Sequence, residues 1–338
     1  MDSKSFTFQD PEIIDEQVVN EKLVENNEVT IQFSRPGYTT EMLSQLNRLA
    51  LANSAKLKLR FYSDSHADEF DCANLEQIFN VKSLFLGCFP KAKNIHIIQN
   101  LNFLEEFGLS IFNLEDLEIL SFDNLKKVKE LFISETKSKA LNLEYLKDYK
   151  NLTHLTISDH TKNIDAISNL TQLKELRLLN IKNTSLTFIN GLKSLKKLEI
   201  TLGGRDNINE IELNGVEELE ISWVRGLNDL SGLKNFKTLK TLLIQNEIRL
   251  SEISFPKLDF LEDVRILDCK TLKVVSGLDK LGALTDFRIS RTAIDFDDFC
   301  ILKFPEKLKT LAFYTGKSKQ DKLIRSKLDE MGFNEFWE

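Results

Sequence analysis

The sequence has little of what marks a membrane, secreted or metal-binding protein. Its 338 residues hold four cysteines, Cys72, Cys88, Cys269 and Cys300, with no close spacing among them. That excludes a disulfide framework and a zinc motif, and free thiols in a reducing compartment are expected. No apolar run reaches the roughly 18 residues of a membrane-spanning helix, so no membrane partner is expected. The opening Met1-Asp2-Ser3-Lys4-Ser5-Phe6 lacks the basic-then-apolar order of a secretory signal, so a cytoplasmic chain is expected unless it leaves by a route that needs no such signal. An excess of basic charge is also missing. The net charge is −7, and residues 1–30, with eight acids against Lys4 and Lys22, carry −6 of it. The near-neutral remainder offers phosphate backbones no electrostatic footprint, so nucleic acid is not an expected partner. Tryptophan is limited to 2 residues against 24 phenylalanines, so benzyl groups are expected to fill part of the core.

What is present is a period. A doublet of apolar residues separated by one position begins at Leu84, Phe107, Leu131, Leu155, Leu176, Leu198, Leu219, Leu242, Val264, Phe287 and Leu311. Another apolar residue stands three positions ahead of each, from Val81 and Leu104 through to Leu308. About eleven units of roughly 22 residues describe a solenoid, in which each unit buries its apolar side against its neighbours. The expected architecture is an α/β solenoid with a parallel sheet on a concave face, an irregular convex side and a cap at each end.

The domain limits follow from that pattern. Residues 1–27 read as an acidic arm, a mobile tail or a short helix opening at Asp10-Pro11-Glu12 with Ile14, Val18 and Val19 on one face. Residues 28–80 read as a βαβ-like N-terminal cap: strands at 29–33 and 57–61 flank a helix through Met42, Leu43, Leu46, Leu49 and Ala50, started by Thr39 or Thr40. The array occupies 81–316. Within it, 163–170, 189–195 and 230–236 suggest a turn of helix or 3-10 helix, whereas 94–98, 117–120 and 209–213 alternate as short convex strands would. Residues 317–338 form a helical C-terminal cap, with Leu323, Ile324, Leu328 and Met331 at helical spacing, Gly332 as terminator and Phe333, Phe336 and Trp337 tucked beneath.

Leu173-x-x-Leu176-x-Leu178, Leu195-x-x-Leu198-x-Ile200 and Leu239-x-x-Leu242-x-Ile244 resemble leucine-rich repeats, and the 22-residue length is similar to the short repeats of bacterial internalins and phosphatase-regulator proteins. The resemblance covers about two thirds of the chain and implies a horseshoe with a protein-binding inner face. The family places Asn, or sometimes Cys or Thr, nine positions into each unit to satisfy turn amides. Thr136, Cys269 and Thr292 fit that pattern here. His160, Ile181, Gly203, Val224, Glu247 and Gly316 do not, and an incomplete ladder is expected.

Strand side chains alternate, so the residue between the doublet members points away from the core. That surface is aromatic at Phe85 and Phe132, acidic at Glu199 and Glu220 and basic at Arg265 and Arg288, with Arg177 beside Glu199 and with Trp223 and Tyr314 nearby. Trp, Tyr and Arg are enriched in interface hot spots. These nine residues are the candidate partner-binding set; ion pairs among them are the competing reading. Catalytic signals are poor. Asp64-Ser65-His66-Ala67-Asp68-Glu69 fails the calcium-loop pattern, His154 and His160 beside Asp159 lack a linked nucleophile, and Leu202-Gly203-Gly204-Arg205-Asp206 lacks the Lys-Ser/Thr of a phosphate loop. The sequence therefore reads as a monomeric, non-enzymatic binding module without cofactor or metal. Neutralising a toxin or effector inside a bacterial producer is a narrower version. An enzyme with its chemistry in 28–80 is the alternative.

Overall fold

The computed structural model describes residues 4–334 apart from 64–68, 135, 138–139, 183 and 213. The chain divides between Leu170 and Thr171 into two compact units. Each is a coil that returns to one parallel sheet on every circuit.

In the first unit the sheet strands are Ser5–Gln9, Glu28–Phe33, Leu57–Tyr62, Ser83–Phe89, Glu106–Ile111, Glu130–Ile133 and His154–Ser158. Register keeps the apolar doublets in line: Ile31, Leu59, Leu84, Phe107, Leu131 and Leu155 pair in succession, and so do Phe33, Phe61, Leu86, Leu109, Ile133 and Ile157. All are buried. Each fully buried aliphatic side chain contributes about 1.5–3 kcal/mol, so slipping one strand by one residue would lose several such contributions at once.

The sheet begins inside the acidic segment. Ser5–Gln9 pairs in parallel with Glu28–Phe33, and helix Glu16–Glu25 makes the crossover. This helix starts later than Asp10-Pro11-Glu12 suggested, because Asp15 caps it by accepting the amides of Gln17 and Val18. Its buried positions are Val19 and Leu23, while Val18 is exposed. Asp10 instead bonds the Ser34 amide at 2.6 Å and the Ser34 hydroxyl at 2.7 Å. The next crossover is helix Thr40–Ala52, capped by Thr39, and all five of its expected apolar residues are buried.

From residue 72 the returns shorten to single 3-10 turns such as Cys72–Gln77, Leu143–Asp148 and Ile164–Asn169. The stretches at 94–98 and 117–120 are also 3-10, over Ile95–Asn100 and Ile119–Ser121, rather than strands. Four or five alternating residues are too few to separate the two periods, and Ile95 and Ile98 are buried at the i, i+3 spacing of a 3-10 turn. Short back-side strands occur elsewhere, at Glu69–Asp71 with Lys91–Lys93.

The second unit repeats the plan with strands Glu175–Leu179, Lys197–Thr201, Glu218–Ser222, Thr241–Gln245, Asp263–Leu267, Asp286–Ser290 and Thr310–Tyr314. Leu176, Leu198, Leu219, Leu242, Val264, Phe287 and Leu311 form one continuous row. Residues 209–212 are turn, not strand, and Leu213 lies outside the described residues. The back-side strands of this unit are Glu252–Ser254 and Val274–Ser276. Helix Ser318–Glu330 closes the unit by burying Ile324 and Leu328, and Gly332 follows at φ 86°. Leu323 and Met331 face solvent. Phe336 and Trp337 lie outside the described residues.

The phenylalanines gather at particular places. Phe33, Phe61, Phe70 and Phe89 form a chain of rings in the first unit, and Phe287, Phe299, Phe313 and Phe304 another in the second, with Phe333 against Phe304 at 5.6 Å.

Candidate functional site

The two units present different sheet surfaces. In the first, Arg60, Phe85, Gly108, Phe132 and Thr156 are register partners on adjacent strands. Gly108 has no side chain, and the Phe85 ring lies over it so closely that a Cβ there would meet ring carbon Cδ1 at 2.1 Å. One strand over, the Arg60 guanidinium reaches toward Gly87 and stacks on the Tyr62 ring at 4.6 Å. These two glycine positions flatten the floor of a groove of about 540 Å³ lined by Phe85, Phe132, Lys58, Arg60, Ser110 and Ser134 among others. Cys88 opens onto it with an exposed thiol.

Charge in the groove is mostly internal. Lys58 reaches Glu28 at 2.8 Å and Glu106 at 3.2 Å. Burial alone would lower the Lys58 pKa, but the two carboxylates raise it above its ordinary value. Burial raises the Glu106 pKa, opposed by the Ser83 hydroxyl and Lys58. Arg60 differs: among the described residues its one side-chain hydrogen bond is a 3.4 Å contact to Gln32, so most of its planar donors remain available.

The second unit's face is largely self-satisfied. Arg177 reaches Glu175 at 2.6 Å and Glu199 at 3.3 Å. Arg265 forks onto Asp263 of its own strand, not onto Glu220, and Arg288 forks onto Asp286 in the same way. Glu220 accepts from the Ser222 hydroxyl at 3.2 Å. The Arg177 and Arg265 pairs, whose arginines are exposed, contribute about 0–1 kcal/mol each. Tyr314 is half-buried and accepts from Arg325 at 3.3 Å. Thus the structure brings Phe85 and Phe132 together and ties the four charged positions Arg177, Glu199, Arg265 and Arg288 into ion pairs.

Trp223 stands apart, one residue past its strand. The first residue after each of six successive strands, Asn180, Leu202, Trp223, Asn246, Asp268 and Arg291, has positive φ and donates its amide to the next circuit. Asn and Asp tolerate that conformation, whereas for a large side chain it costs about 1–2 kcal/mol. Leu202 and Trp223 occupy it side by side and both are exposed. Sequence reasoning weighed Leu202 only within a rejected phosphate loop and passed over Lys182, Arg225 and Ile248; all four surround Trp223 in a cavity of about 270 Å³. The available signal was a bulky apolar residue where neighbouring repeats have Asn or Asp.

Among the described residues no group of three or more His, Cys, Asp or Glu could hold a metal ion. Asp64 to Asp68 lie outside them. No described helix is long and apolar enough to cross a membrane.

No protein-family model matches the sequence, and no curated protein matches it. Among solved structures, an internalin (inlF) of Listeria monocytogenes superposes with a TM-score of 0.56 at 19% identity, over 86% of this chain and 81% of that one. Internalin C2 of the same organism has a TM-score of 0.34 at 20% identity, over 80% of this chain and 92% of its own. A plant peptide hormone receptor, RGFR1 in complex with RGF2, has a TM-score of 0.38 at 14% identity, over 91% and 53%. The first of these, with the repeated register of the doublets, decides the fold. The chain has the leucine-rich-repeat fold.

In leucine-rich-repeat terms, the ninth-position ladder is fuller than its residue types suggested. Buried His160 accepts the Leu141 amide on Nδ1 at 3.0 Å and lies 2.8 Å from the Ser134 carbonyl through Nε2, the tautomer in which Nε2 donates. Buried Glu247 accepts the Val224 amide at 2.9 Å. Cys269 is buried and donates its thiol to the Leu267 carbonyl at 3.5 Å, with the Glu247 and Asn246 amides directed at its sulfur. Longer side chains thus reach turn amides that Asn would serve, and the sheet register stays continuous through both positions.

Proposed function

We propose that the chain is a non-enzymatic protein-binding module that holds its partner on the solvent-facing side of the first unit's sheet, the side the sequence reading takes as concave. The observation that carries this reading is the groove over Gly87 and Gly108. It joins two aromatic walls to an arginine with spare donors, on a rigid sheet whose side chains are set by register. Extended solenoid surfaces serve such binding without any moving part. Aromatic and arginine anchors in a pocket are the features that dominate interface energetics. In the second unit Arg177, Glu199, Arg265 and Arg288 are already tied into ion pairs and are not anchors in this reading. A protein that covers a toxin or effector in a bacterial cytoplasm is a narrower form, supported by the acidic balance of residues 1–30.

The test is recovery of a partner from the producing cell by wild-type protein and by Phe132→Glu. The variant places charge in the groove on the solvent side, so its melting temperature should hold while recovery falls on the order of tenfold or more. Undiminished recovery by a folded Phe132→Glu removes the groove from the reading.

A further inference from the structure

Beyond the sheet face, the geometry points to a second docking site at the strand-to-turn rim of the second unit, built for an acidic, apolar-containing linear segment of a partner protein. Two parallel rows define it. Asn180, Leu202, Trp223 and Asn246 occupy the first position after each strand. Lys182, Gly204, Arg225 and Ile248 stand two residues further on, and the backbones of Lys182, Gly204 and Arg225 are bridged in that order.

Gly204 therefore leaves a notch in the second row, with a cation on each side and Leu202 and Trp223 beside it. Leu202, Trp223 and Ile248 are 47%, 55% and 59% exposed, an unusual apolar grouping for a charged surface. Neither Lys182 nor Arg225 has an ion-pair partner among the described residues, whereas Arg177, Arg265, Arg288 and Arg291 are all paired.

Charge complementarity selects the occupant. Two unpaired cations about a notch would hold a carboxylate, and the flanking Leu202, Trp223 and Ile248 would cover an aliphatic or aromatic neighbour in the same segment. An anionic lipid surface fits less well, since the site is a notch with two flanking cations rather than the broad basic cluster that lipid headgroups attract. The strained backbone at Leu202 and Trp223 supports selection for exposure, because Asn at either position would relieve it.

Gly204 also supplies a clean probe. A Cβ there would make only an ordinary 3.5 Å contact with the Arg225 carbonyl, so a side chain fills the notch without displacing backbone. The experiment selects a random peptide library, displayed on phage, against the full chain. Selected peptides are then measured on Gly204→Glu, Arg225→Glu and Phe132→Glu, with thermal melting as the folding control and Trp223→Ala as a further variant. Phosphatidylserine vesicles serve as a second probe.

The expected result is a consensus with Asp or Glu adjacent to a large apolar residue. Its affinity should fall on the order of tenfold on Gly204→Glu and Arg225→Glu and be unchanged on Phe132→Glu. Any of four results overturns the proposal: no enrichment, a consensus without an acid, equal affinity for the folded rim variants, or vesicle binding through Trp223 in place of peptide binding. Loss on Phe132→Glu alone would assign the peptides to the sheet groove and likewise remove the rim site.

Discussion

The Glu247 carboxylate accepts the Val224 amide across neighbouring circuits at 2.9 Å, and its second oxygen, equally buried, has no hydrogen-bond partner. Burial holds the folded carboxyl at about 7, above its ordinary 4.5. The folded state thus binds this proton more tightly than the unfolded chain does. The stability it contributes is fully present below about pH 4.5 and is lost as the pH rises through about 7. Glu247→Gln stays neutral and keeps an acceptor for Val224. Denaturant midpoints should agree with wild type near pH 4.5 and exceed it by about 1–3 kcal/mol near pH 8.

His160 acts in the opposite direction. Burial lowers its pKa below the ordinary 6.5, with the Ser134 bond and Asp159 opposing. The unfolded chain therefore binds this proton more readily, so stability is present above about pH 6.5 and is lost as the pH falls through the lower folded value. His160→Ala leaves the Leu141 amide and the Ser134 carbonyl without their partner. A loss of about 2–4 kcal/mol at neutral pH is expected, with a flatter acid limb in the pH profile of melting.

Much of this structure was legible in the sequence, for a definite reason. Doublet and preceding peg repeat because each must enter the same interior, and Leu173, Leu176 and Leu178 are buried together. The same buried doublet occurs at Ile31 and Phe33 and at Leu59 and Phe61, yet those two strands stood outside the count. Their returns are helices of 10 and 13 residues and a longer link rather than single 3-10 turns, which stretches the spacing. Site residues were harder. Phe85 and Phe132 could be placed on one face from alternation alone. The groove between them depends on Gly108 lacking a side chain, and the ladder roles of His160 and Glu247 depend on reach; neither is encoded in a residue-type pattern.

Leu202 offers a test of strain against function. Leu202→Asn puts a residue suited to positive φ at the first rim position and removes an exposed apolar side chain. Stability should rise by about 1 kcal/mol in denaturant unfolding. An unchanged or lower stability would mean that surrounding contacts already offset the strain.

Gly108→Ala tests the groove floor. The added Cβ cannot coexist with the present Phe85 ring position, so the ring must move while the core face of the strand is untouched. A crystal structure of the variant should show Phe85 in a new rotamer. Partner affinity should drop on the order of tenfold, with stability changed by less than about 2 kcal/mol.

The most direct measurement is photo-crosslinking in the producing cell, with a benzophenone amino acid in place of Phe132 on the groove wall or of exposed Lys147 on the back of the same unit. A discrete crosslinked protein from the Phe132 position and none from Lys147 is the expected result. Crosslinking from Lys147 with silence at Phe132 would place the partner on the other side of the coil and contradict the assignment.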